Sequence, residues 1–413
     1  MRLSFRARRA VQLALTANAI RPLRGTRVGI PSFVTGWLTS ELAPHLLALT
    51  VTDTAAHVAR RGVRNTDRTG LALAALSTVG LGSLIASAQR AKDVVEQALA
   101  ETLGPEYARS LQPPLTASDL ATPWGQLMLP FRMRHPDVRI DRDIAYAQGG
   151  KRFLLDVYRP YEPVSGRPVL LQIHGGAWMT GNKEQQGVPL MLHMAARGWV
   201  CVAINYPLSP AARWPRHIVA AKQALAWVRR NIADYGGDPT FIAATGGSAG
   251  GHLAALLALT ANDSAFQPDF EDVDTSVQAC VPHYGVYDFA ATTGARASQA
   301  RLRHLLARYV VGSDPDLSLD DYVAASPLDR IGETEPPPFF VVHGEHDTLV
   351  SVREAREFVR RLRTASTNPV VYAEIPGAQH AFDIFPSIRS AHVVRGVQRF
   401  LDWVYLNRKA ATP

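Results

Sequence analysis

One serine stands among four glycines at Gly246-Gly247-Ser248-Ala249-Gly250-Gly251. The residues before it, "FIAAT", are apolar and partly β-branched or aromatic, as in a buried strand. Those after it, "HLAALLALT", are rich in good helix formers. A G-x-S-x-G run between strand and helix is a sharp turn that lifts the serine oxygen clear of the sheet edge. Glycine is required there because strand and helix approach too closely for a Cβ atom. The chemistry on offer is nucleophilic attack by the Ser248 hydroxyl. The plainer alternative is a glycine-rich turn that only packs or cradles a phosphate.

A serine nucleophile needs a base, a group that orients the base, and N–H donors for the developing oxyanion. His380, in "AEIPGAQHAFD", is the candidate base. His174, His252, His283, His343 and His346 also lie near strand ends or beside the turn, where a packing role explains them. His380 stands apart because an acid-bearing loop precedes it, giving the chain order Ser…Asp…His. In "FFVVHGEHDTLV" the acid at the loop tip, Asp347, is the orienter, and Glu345 is structural. Asp347 follows Ser248 by 99 residues and precedes His380 by 33, room for an insertion and then one strand–helix unit. The oxyanion donors are expected to be backbone amides of Ala249 and of Gly175 and Gly176 in "HGGAW". Trp178 either shapes an acyl pocket or packs in the core.

These groups must be held at strand ends. From residue 137 onward a hairpin joined at Gly149-Gly150 is followed by the apolar runs "PVLLQIHG", "WVCVAINYP", "FIAATGG", "QACVPHYG", "FFVVHGE" and "VVYAEIPG", alternating with amphipathic helices. The pattern predicts an α/β domain over 137–413: a mostly parallel, eight-stranded sheet with helices on both faces. A mainly helical insertion at 286–330 interrupts it. Cys201 and Cys280 lie in strand-like runs and read as free buried thiols. No Cys/His spacing suits a metal, and no cofactor is required.

The first 136 residues read differently. They lack strand alternation and predict helices. They hold 16 Lys and Arg against 8 Asp and Glu, so the whole net charge of +8 resides there. The opening run carries Arg2, Arg6, Arg8, Arg9, Arg21, Arg24 and Arg27 with no acid. Ala17-Asn18-Ala19 has the form of a signal-cleavage site, but the preceding apolar stretch is short and polar-interrupted. Leu71–Ala88 contains 18 uncharged residues, at the margin of a spanning helix, with arginines on both sides. This favours association with an anionic membrane surface over a soluble, cytoplasmic cap; nucleic acid is not an expected partner. The remainder, from about His135, would then keep the catalytic set without this region. Oligomeric state is not legible.

"HGGAW", "ATGGSAGGHLAA", "HGEHDTLV" and "GAQHAF" together resemble the α/β-hydrolase superfamily, in particular its hormone-sensitive-lipase-like carboxylesterases. "YPLSPAARWPRHIVAAKQALAWVRRNIADYGGDP" resembles the segment between the oxyanion loop and the serine turn in that group. The resemblance covers about residues 137–408, and the overall layout is similar to the longer actinobacterial Lip-type esterases. It implies the α/β-hydrolase fold, a serine esterase or lipase, the triad Ser248, Asp347 and His380, and oxyanion donors Gly175, Gly176 and Ala249. Two positions depart from the pattern: Ala177 replaces the third glycine of the oxyanion motif, and Gly247 replaces the acid before the serine. "HGG-x-W" is also similar to kynurenine-formamidase-like hydrolases, so an amidase or formamidase is the alternative chemistry. A non-catalytic binding protein on the same fold is the alternative class.

Overall fold

The computed structural model describes residues 3–25 and 28–410; Arg2 and Arg27 of the basic run lie outside the described residues. Eight strands form one sheet: β1 (Val138–Ala145), β2 (Leu154–Pro160), β3 (Arg167–Ile173), β4 (Val200–Ile204), β5 (Gly237–Gly247), β6 (Ala279–His283), β7 (Phe339–Gly344) and β8 (Val370–Ile375). Their order is β1-β2-β4-β3-β5-β6-β7-β8. β1 pairs antiparallel with β2, and β2 antiparallel with β4; all other pairs are parallel.

Period-2 alternation decides which side chains face which layer. Val169, Leu171 and Ile173 of β3 pack with the helices Arg216–Asn231, Ala249–Leu259 and Val352–Ala365. Leu170, Phe241 and Ala243 point the other way, onto Val188–Ala196 and the terminal helix Ile388–Ala410. Both faces are therefore dry, which is why the strands read as unbroken apolar runs. Cys201 and Cys280 are buried and unlinked. The insertion between β6 and β7 contains the helical stretches Arg296–Arg301, Leu302–Val310 and Leu319–Ala324.

The described N-terminal region is built mainly of four long helices, α1 (Phe5–Ile20), α2 (Gly29–Glu41), α3 (Ala43–Arg61) and α4 (Arg68–Leu103), followed by short helical turns. α4 is capped by Asp67, whose side chain accepts from the Gly70 amide. Its two halves do different work. Leu81 and Leu84 pack with Ala19 of α1 and Ala43 of α3. Ala91, Val95 and Leu99 join the main core beneath the sheet, among Phe340, Val397 and Leu401. The change of pattern near residue 136 is thus no break in packing. Starting the chain at His135 would strip the sheet of part of its cover, Ala91, Val95 and Leu99.

α2 is fastened by a buried ion pair. Arg389 Nη1 lies 2.9 Å from Glu41 Oε1, and Ser387 Oγ donates to Glu41 Oε2 at 2.7 Å. Both charged side chains are essentially inaccessible. Removing one partner of such a pair leaves the other charge uncompensated, typically at a cost of about 3–5 kcal/mol. Glu41→Gln is expected to lower the melting temperature by several degrees, and Glu41→Ala by more; a thermal denaturation scan checks this.

Candidate active site

Ser248 sits between β5 and the helix Ala249–Leu259 at φ 57°, ψ −119°. A non-glycine residue in this region is strained and persists only where its surroundings force it. The forcing is visible at Gly250, where an added Cβ would lie 2.0 Å from the Ile173 carbonyl oxygen. Helix start, β5 end and β3 end share one corner with no room for side chains. The Ser248 amide donates to the His283 carbonyl at 3.0 Å, tying the turn to the end of β6.

His380 and Asp347 meet at the ends of β7 and β8. His380 Nδ1 lies 2.6 Å from Asp347 Oδ2. The other carboxylate oxygen accepts from the Leu349 and Val350 amides, each at 2.8 Å. His343 Nε2 also approaches Oδ2, at 3.3 Å. Burial alone would push the Asp347 carboxyl up. The charges of His380 and His343 and their hydrogen bonds reverse this and hold it well below the ordinary carboxylate range. With Nδ1 committed to Asp347, the Nε2 face of His380 is left for proton transfer. The ring is covered by Phe33 of α2, edge-on with centroids 5.9 Å apart, and by Tyr284 at 4.7 Å.

The other candidates have structural partners. Glu345 accepts from the Gly377 amide at 2.9 Å and closes the neighbouring turn. His174 stacks on Tyr206, with Nδ1 2.7 Å from the Gly175 carbonyl; burial pushes it down to about 4. His252 accepts from the Trp178 indole and contacts the Ala325 carbonyl. Trp178 itself is fully buried against His252 and Phe289, which is core packing.

The loop after β3 runs beside the serine: a Cβ on Gly175 would lie 3.1 Å from Ser248 Cβ. The Gly175 amide departs from expectation, because it donates to Gln186 Oε1 at 2.7 Å. Gly176 follows at φ +112° and Ala177 at φ +53°. Among the described residues, the amides of these two find no protein acceptor. Ala249 opens its helix, so its N–H has no intrahelical acceptor.

The family model described as BD-FAE matches residues 155–362, half of the chain. LipM of Mycobacterium tuberculosis, named a probable carboxylic ester hydrolase, is 44% identical over 98% of this chain and 94% of its own length. Esterase LipQ of the same organism is 42% identical over 94% of this chain and 88% of its own. The chain belongs to the hormone-sensitive-lipase-like carboxylesterases of the α/β-hydrolase superfamily. It is a carboxylic ester hydrolase, and the amidase and binding-scaffold alternatives are not favoured. An inhibited esterase B from Lactobacillus rhamnosis shares the fold, with a TM-score of 0.55 at 19% identity over 67% of this chain and 89% of that one.

In this esterase Asp347→Asn should lower kcat by roughly 10⁴, because the wrong imidazole tautomer cannot accept the proton. Glu345→Gln should leave kcat within about threefold, since the Gly377 contact survives as a neutral hydrogen bond. Steady-state kinetics on a p-nitrophenyl ester separates the two. A carboxyl whose folded pKa is depressed contributes stability above its unfolded value and loses it as pH falls through the folded one. The stability advantage of wild type over Asp347→Asn should therefore be full near about pH 5–6, shrink below about pH 4 as the carboxyl protonates, and decline again at higher pH as His343, raised by the same carboxylate, loses its charge, measurable by denaturant titration.

Proposed function

We propose that Ser248, His380 and Asp347 hydrolyse carboxylic esters through an acyl-enzyme. His380 takes the Ser248 proton as the oxygen attacks the ester carbonyl. Asp347 holds the imidazole tautomer and stabilises the imidazolium. The amides of Gly176 and Ala249, with that of Ala177 beside them, receive the oxyanion. His380 then protonates the leaving alcohol. Water enters, gives its proton to His380, and releases the acid and free Ser248. The buried 2.6 Å contact between His380 and Asp347, beside a strained serine turn, is the observation that carries this reading. Ser248→Ala should lower kcat by roughly 10⁴–10⁶ with the melting temperature unchanged. A variant keeping a tenth of wild-type kcat would contradict it.

We propose further that the substrate is a lipid ester met at a membrane surface. Most of the exposed large apolar side chains belong to the first 131 residues. Ile30, Val34 and Leu38 recur on the outer side of α2, the helix whose Phe33 covers His380. Phe131 packs on Phe385, as does Trp37 of α2, and Met128 and Leu129 stand exposed nearby in the chain. α4 is long and apolar enough to cross a membrane, yet Ala74, Ser77, Leu81, Leu84 and Ala88 form a buried stripe along it. A helix with one face packed on protein fits attachment to a bilayer better than passage through it. Its other face exposes Leu76 and Val79, and Arg60, Arg61, Arg64 and Arg68 lie around its start. Each arginine near an anionic surface adds about 1 kcal/mol. Full-length protein should float with phosphatidylglycerol vesicles at low salt. Leu76→Glu with Val79→Glu, both at exposed positions, should weaken flotation about tenfold or more while leaving hydrolysis of a soluble ester intact. Wild-type protein remaining at the bottom of the gradient would contradict the attachment.

A further inference from the structure

Ser248 and His380 stand on loops from different parts of the chain, and their relative placement has to be fixed by something other than sequence proximity. A second His–Asp pair lies between them. His283 Nδ1 is 2.7 Å from Asp383 Oδ2. The Tyr284 hydroxyl makes a short hydrogen bond to Asp383 Oδ1. His283 and Tyr284 are buried, and Asp383 is largely so.

Each end of this cluster touches one half of the reacting pair. The His283 carbonyl accepts the Ser248 amide at 3.0 Å, and His283 is in register with Gly247 across β5 and β6. The Tyr284 ring packs on the His380 ring at 4.7 Å. Asp383 lies three residues after His380 on the same loop. The space that a side chain at position 247 would take is already filled: a Cβ on Gly247 would lie 2.7 Å from the Tyr284 hydroxyl oxygen. The acid missing before the serine is thus matched by an acid that arrives from the His380 loop through a tyrosine. Tyr284 is held at φ +38°, a conformation retained only where the surroundings over-determine it. Burial pushes the Asp383 carboxyl up, and the charge of His283 beside it, with the hydrogen bond from Tyr284, brings it below its ordinary value. A charged acceptor makes the Tyr284 bond stronger and more directional than a neutral one.

We infer that Tyr284, Asp383 and His283 form a positioning cluster that sets the spacing between the Ser248 turn and the His380 imidazole. It acts through those two residues and touches no substrate. The inference rests on Ser248 and His380 being the reacting pair.

The test is kinetics normalised to active sites. Wild type, Tyr284→Phe and Asp383→Asn are titrated with a fluorophosphonate, and kcat and KM for a p-nitrophenyl ester are expressed per titrated site. Each variant should lose about ten- to a hundredfold in kcat per site, with KM within about threefold, the size expected when alignment in the transition state is lost but binding is kept. The double variant should be no worse than Asp383→Asn by more than about threefold, because both changes cut one network. A cluster that only stabilises the fold would reduce the titratable fraction and the melting temperature and leave kcat per site unchanged. Values within about twofold of wild type in the variants that fold would therefore overturn the inference. Tyr284→Phe, which removes a single oxygen, decides the matter if Asp383→Asn does not fold. Wild type that hydrolyses esters without titrating at Ser248 would instead contradict the triad itself.

Discussion

The corner where β3, β5 and the helix Ala249–Leu259 converge is the constraint on which the site depends. Backbone meets backbone there so closely that Gly250 has no room for a Cβ against the Ile173 carbonyl. That contact fixes the helix on the sheet and leaves Ser248 no relaxed conformation. It also brings the loop after β3 against the serine, so free amides and hydroxyl are neighbours by construction. Parallel pairing then delivers the remaining parts. The ends of β6, β7 and β8 lie at the same sheet edge, and His283, Asp347 and His380 all follow from it.

Upon this frame the N-terminal helices do two jobs. The inward face of the second half of α4, Ala91, Val95 and Leu99, is core, as buried as the strand residues around it. α2 lies over the acid–base loops, with Thr348 Oγ1 donating to the Gly29 carbonyl at 3.2 Å and Phe33 against His380. The Glu41–Arg389 pair anchors α2 to the segment that follows His380. A change in α2 is therefore felt at the imidazole, and the outer face of the same helix is what a lipid surface would meet.

How much of this the sequence disclosed follows from the range of the forces involved. The strand-to-helix turn at Ser248 was legible because backbone sterics confine it to a short string. The sheet was legible because burial on both faces leaves unbroken apolar runs. Asp347, further along its loop than Glu345, is the carboxylate that reaches His380, while Glu345 accepts from the Gly377 amide. The occupied Gly175 amide was not legible, since its partner Gln186 stands eleven residues away in an irregular loop. Tyr284 and Asp383 are 99 residues apart, and neither has a pattern that announces the other. The buried stripe of α4, Ala74 to Ala88, was not legible either, since its outward positions are as apolar as its inward ones and only the packing of α1 and α3 tells the two faces apart.

The central claim is that the strained Ser248 hydroxyl is the atom that takes the acyl group. Intact-protein mass spectrometry and peptide mapping after reaction with a fluorophosphonate test it directly. The account predicts one adduct per chain, on the peptide carrying Gly246 to Gly251 and at Ser248, with hydrolysis lost in proportion to labelling. Loss of hydrolysis with the adduct on another residue, or full hydrolysis by a completely labelled protein, would contradict it.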